Sequence, residues 1–178
     1  MTHILHFYFY TVIAVATHRL VLLGTEAVSI IGIFRWGKRE LKFALYVLLL
    51  DLAVRFLGGL VFFAGFEMGP RGFMRVFLIL VGIVAIVASR FSLVFPGIAI
   101  DEQAPFGDSW EMSKGYSILM LCVVGVAPIV LMYPVLAIEA QEHNLTILSN
   151  PARSIILVLV IAFLSCAYNE INKRKTAC

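Results

Sequence analysis

Five apolar runs, each about as long as a membrane span, constrain this chain more than any other feature. They cover roughly Ile4–Leu23, Leu41–Phe66, Phe73–Phe95, Ser117–Ile138 and Ser154–Ile171. A helix rising about 1.5 Å per residue needs about twenty residues to cross a hydrocarbon core near 30 Å thick. Backbone groups cannot stay unpaired in lipid, and the alternation of a barrel strand is absent, so the runs must be helical. The expected fold is all-α: a polytopic membrane helix bundle of about five transmembrane helices, with short interfacial helices between them.

Composition points to the same solvent. Hydrophobic residues make up 61% of the 178 positions and charged ones 14%, against roughly a quarter charged in soluble domains. No Ser/Gly-rich or charged linker divides the chain, so residues 1–178 are expected to form a single integral membrane domain. The net charge of +3 comes from local basic clusters rather than a stripe, which argues against nucleic acid as a partner. Cys122 and Cys166 sit inside apolar runs and Cys178 ends the sequence. Without a CxxC or an even framework, the first two are expected to pack as small hydrophobes. No cleavable leader is expected either. The first run lacks a basic lead-in, and His18-Arg19 stands where small residues would be needed.

Orientation follows from the basic residues near the span ends. One side collects nine: Arg35, Lys38, Arg39, Lys42, Arg90, Lys114, Lys173, Arg174 and Lys175. The other collects three: Arg71, Arg75 and Arg153. Cytoplasmic loops carry the excess, so the carboxyl terminus is expected in the cytoplasm and, with five spans, the amino terminus outside. A first span with nothing before it to guide it suggests that an upstream helix is absent.

Between the runs lie two amphipathic stretches. Ala27–Glu40 is too short and too basic to cross and reads as interfacial, with Trp36 at headgroup level and Arg35, Lys38 and Arg39 toward phosphates. From Arg90 to Tyr116 the expected course is a snorkelling arginine, a helix stop at Pro96-Gly97, a polar loop and a short docking helix from Phe106 to Gly115. Asp108 is expected to cap that helix, Glu111 to reach back, Gly115 to close it, and Trp110 to anchor it. Its expected partner is the Arg35–Arg39 segment, facing Asp101, Glu102, Asp108 and Glu111.

The pattern of Arg90, Ser92, Leu93, Pro96, Trp110, Ser113, Lys114 and Gly115, with HRLVLLGTE at His18–Glu26 and the following GKRELKF, resembles a family of bacterial multi-span inner-membrane proteins. That family is related to the membrane domain of glycerophosphoryl diester phosphodiesterase. The resemblance covers about residues 15–125. It implies a multi-pass protein of the bacterial inner (cytoplasmic) membrane, usually of six spans. It implies no catalysis, because the phosphodiesterase label belongs to a soluble domain missing here.

Chemistry within the spans is sparse. Asp51 and Arg55 lie four apart in the middle of the second run, so they share a helix face and can pair. Gly58 and Gly59 continue that face and would admit a neighbour, and the pair is expected to turn toward other helices. Arg19, Arg55 and Arg90 outnumber Asp51 and Glu26 within or bordering spans. With Arg35, Lys38, Arg39 and Lys114 they could hold an anionic lipid headgroup. His3 and His6 share a face but lack a third metal ligand, and His18 could serve only as a single axial ligand to a tetrapyrrole. No cofactor is therefore expected. HExxH, GxxxxGK and GxSxG are all missing. Asn144-Leu145-Thr146 reads as an ordinary loop.

Three functions remain at this level. The first is a non-enzymatic accessory component that packs with other membrane proteins or lipids, supported also by the small residues Gly82, Ala85 and Ser89. The second is a small transporter or channel subunit using Asp51–Arg55 and the Pro96-Gly97 break. The third, weaker, is a lipid-modifying enzyme with its groups on cytoplasmic loops.

Overall fold

The structure, a computed structural model, describes residues 2–27, 36–102, 106–141 and 146–177. Seven helices follow one another: α1 (Thr2–Leu23), α2 (Lys38–Phe91), α3 (Val94–Ala99), α4 (Phe106–Met112), α5 (Ser117–Met120), α6 (Ala127–Gln141) and α7 (Thr146–Ala177). A π-helical turn over Leu121–Val126 joins α5 to α6. Five segments are long and apolar enough to cross a membrane: Leu5–Leu23, Lys38–Leu60, Gly72–Ala99, Ser117–Glu139 and Pro151–Lys175.

Two of these segments belong largely to one helix. Helical backbone continues from Lys38 to Phe91, through the gap between the second and third apolar runs. A straight helix of that length would separate its ends by about 80 Å. Yet the Phe43 ring lies 5.1 Å from that of Phe95, just beyond the far end, and Arg39 Nε lies 3.3 Å from Asp101 Oδ1. The helix must therefore turn back within its length. The sequence midpoint between Phe43 and Phe95 is Gly69, and that between Arg39 and Asp101 is Pro70, a Gly-Pro pair of the kind that bends helices.

Helix α2 ends before the expected stop at Pro96-Gly97, although the apolar segment runs on to Ala99. α2 stops at Phe91, Ser92 and Leu93 make the turn, and Pro96-Gly97 lie inside α3. Pro96 is tolerated there because it falls in the first turn, where backbone donors have no helical partner. Ser89 Oγ donates to Ile86 O (2.8 Å) and Ser92 Oγ to Ser89 O (2.6 Å), so the hydroxyls at the break are satisfied locally.

α3 is the hub of the packing. Its Val94, Ile98 and Ala99 join Ala14 and Val15 of α1, Phe43 of α2 and Ile161 of α7 in one buried cluster. Leu93, Met120, Leu164, Ala167, Tyr168 and Ile171 form a second. The arms of α2 contribute little to either. Leu48, Leu52, Phe56, Leu60, Phe63, Leu78 and Ile79 all stand exposed, an apolar area untenable in water and ordinary against lipid or another apolar protein face.

Candidate functional site

Arg19, Arg39 and Arg90, three of the cations expected at lipid headgroups, have partners within the chain. Asp101 organises the first group. α3 closes with two backbone bonds, Asp101 N–H to Ile98 O (3.2 Å) and Glu102 N–H to Gly97 O (3.0 Å), the pairing of a Schellman turn. The left-handed position in that turn usually falls to glycine, but here it is Asp101, at φ 63°. Its carboxylate sits 3.5 Å from Arg19 Nη1 and 3.3 Å from Arg39 Nε. Arg19 also donates to Ala99 O (3.2 Å) and, through Nε and Nη2, to Ala27 O (3.4 and 3.3 Å). One arginine thus ties the end of α1 to the end of α3 and to the short turn after Gly24. Glu102 accepts a hydrogen bond from Tyr168 of α7.

The second group surrounds Trp110. Arg90 was expected to reach outward to headgroups. Instead its guanidinium lies 4.5 Å from the centre of the Trp110 ring, and its Nη2 donates to Ser117 Oγ at 2.8 Å. Its Nε is buried without a hydrogen-bond partner. Cation–π attraction explains the inward course, because a desolvated guanidinium over an indole is held more strongly than one in solvent. Trp110 packs at 5.4 Å on Phe91, and the buried Ser109 hydroxyl donates to Arg90 O (2.7 Å). α4 is therefore docked on the end of α2 around Arg90, and of the expected facing of the Arg35–Arg39 segment on the acidic residues the structure shows the Arg39–Asp101 pair. Within it, Asp108 lies inside the first turn rather than at a cap. Glu111 pairs forward with Lys114 (2.7 Å) rather than reaching back. Gly115 adopts φ 84° at the following turn.

The remaining expected residues distribute as follows. Trp36 stacks on Tyr8 of α1, with ring centres 5.3 Å apart. Lys38 begins α2, whereas Arg35 lies outside the described residues, as do residues 28–34 of the interfacial stretch and Asn144-Leu145 of the acceptor-like triplet. Asp51 Oδ2 accepts from Arg55 Nε at 2.7 Å, so the pair forms. No helix of the described chain covers it: the two side chains are 49% and 76% exposed. A side-chain carbon at Gly58 or Gly59 would meet nothing within 4 Å. The expected packing of the pair against other helices is therefore not found among the described residues.

A buried histidine also acquires a setting the sequence did not reveal. His18 Nδ1 lies 2.7 Å from Ser165 Oγ, whose hydroxyl donates to Ile161 O at 3.0 Å. With that proton committed, the imidazole Nδ1–H is the donor. His18, Thr11, Phe43, Phe95 and Ile161 border an apolar cavity of about 220 Å³, smaller than the roughly 300–1,000 Å³ of ordinary ligand sites. Among the described residues no three His, Cys, Asp or Glu side chains group as a metal site.

The fold defines the class: an all-helical polytopic bundle of the membrane type. Comparison with known proteins returns no matching family model, no similar curated protein and no matching solved structure.

Proposed function

We propose that this protein is a non-enzymatic accessory component of a membrane assembly, held in its complex through the arm of α2 that carries Asp51 and Arg55. The observation that carries the reading is the uncovered ion pair. Asp51 lies about 20 Å along the helix axis from Lys38, at the middle of an apolar span. Charged groups at that depth almost always face protein or an aqueous path, because lipid cannot solvate them. Among the described residues the pair meets neither, and Gly58 and Gly59 leave open backbone beside it. Small residues of this kind let a second helix approach closely, so the missing cover is a helix from another polypeptide. The polar cluster around Asp101 and the Trp110 dock keep the bundle rigid behind that arm.

In this reading the protein is a multi-pass component of a bacterial inner membrane, its basic end cytoplasmic. The resemblance to the phosphodiesterase-associated membrane family lends it architecture and no catalysis. Native mass measurement of the full chain extracted in mild detergent tests the proposal. A complex heavier than the 19.8 kDa chain, reduced to the single chain by Gly58→Leu/Gly59→Leu, supports it. A single chain in the unsubstituted protein overturns it.

A further inference from the structure

A cleft opens between the end of α4 and the last turns of α7, with a volume of about 740 Å³. Three cations border it: Lys114, Arg174 and Lys175, together with the carboxylate of Glu111 and the phenol of Tyr116. Met112 and the buried Ile171 supply its apolar floor. We infer that this cleft holds the phosphate-bearing headgroup of an anionic phospholipid.

Position comes first. Lys175 ends the apolar window Pro151–Lys175 of α7, so the cleft lies where hydrocarbon gives way to headgroups. Tyrosine belongs at that depth, its ring apolar and its hydroxyl wet. The charges agree. Lys114 pairs with Glu111 and Arg174 with Glu170, at 2.7 and 2.8 Å, but all four side chains are more than half exposed. Exposed pairs of this kind are weak and exchange partners readily. A phosphodiester can therefore take the guanidinium of Arg174 and the ammonium groups of Lys114 and Lys175 without breaking a buried contact. Arg174 suits the role best, because its planar fork matches two phosphate oxygens.

The apolar floor selects a lipid over a free anion. Met112 and Ile171 line the same cleft as the cations, an apolar surface for glycerol and the first methylenes of an acyl chain and of no use to inorganic phosphate. The proposal depends only on membrane embedding. It stands whether or not a partner covers Asp51, and a monomeric chain tests it equally.

The experiment is native mass spectrometry of the full chain in neutral detergent with equimolar phosphatidylglycerol and phosphatidylcholine. The chain should retain phosphatidylglycerol in preference. Lys114→Gln, Arg174→Gln and Lys175→Gln should each lower that retention about fivefold, the effect of losing one basic contact near an anionic surface. Arg153→Gln, which removes an ion pair with Glu139 at the junction of α6 and α7, should leave it unchanged. Equal retention of the two lipids overturns the inference, as does a triple Gln variant that keeps the original preference. Displacement of the lipid by millimolar inorganic phosphate would overturn the lipid as source and assign the cleft to a free anion.

Discussion

Replacing Trp110 by alanine should loosen the α4 dock by about 2–4 kcal/mol, and three contributions set that figure. The ring pair with Phe91, at 5.4 Å and 38° between planes, is of a kind worth about 0.5–1.5 kcal/mol beyond burial. The Arg90 guanidinium at 4.5 Å adds about 0.5–2 kcal/mol for a partly desolvated cation–π contact. Loss of the half-buried indole surface supplies the rest, less than the roughly 3–5 kcal/mol of a fully buried Trp→Ala. Trp110→Phe keeps the ring pair and weakens the cation contact, so it should cost about 1 kcal/mol. Glu111→Gln touches only an exposed pair and should cost about 0–1 kcal/mol. Thermal unfolding of the purified chain in one fixed detergent, followed by circular dichroism, ranks the three variants. At about 2–4 °C per kcal/mol for a chain of this size, Trp110→Ala should melt roughly 4–16 °C lower. The reasoning is refuted if Trp110→Ala melts with the unsubstituted protein, or if Glu111→Gln falls as far.

Gly115→Ala, at φ 84° with open space around it, should cost about 1–2 kcal/mol through backbone strain alone, read in the same melt. Met120→Ala removes a fully buried side chain between α5 and α7 and should cost about 2–5 kcal/mol. Leu52→Ala on the exposed arm should leave the isolated chain unchanged. Ser165→Ala deprives buried His18 of its partner and should cost about 1–3 kcal/mol; Ser165→Thr, which restores a hydroxyl, should recover part of it. Asp51→Asn and Arg55→Gln should each lower yield in the membrane more than the double substitution, because each leaves a lone charge at mid-span. Equal or additive losses, quantified by immunoblot of membrane fractions, would count against the pair.

The five spans were legible because hydropathy and length alone decide which segments lipid can solvate, and neither depends on tertiary contacts. Pro96 does not mark the end of α2, because proline signals a break only where it removes a helical bond, and in the first turn of α3 it removes none. Arg90 illustrates a second limit. Its sequence position at a span end suits snorkelling, but a tryptophan twenty residues on supplies a better partner, and only the fold brings the two together. The Asp101 cluster joins α1, α2 and α3 across up to eighty residues of chain, so no local spacing announces it. One signal was available: an aspartate directly after an apolar stretch with no glycine to close its helix. Asp51–Arg55 was legible as a pair, since four-residue spacing settles that. Its direction was not, because which face of a span meets the bundle depends on every other helix.

The decisive measurement asks what lies against Asp51 and Arg55 in the membrane. A photo-reactive residue at Leu48 or Leu52, both exposed on that arm, should crosslink in native membranes to a discrete polypeptide and give one shifted band. Crosslinking to lipid alone, with no protein adduct at either position, would contradict the account.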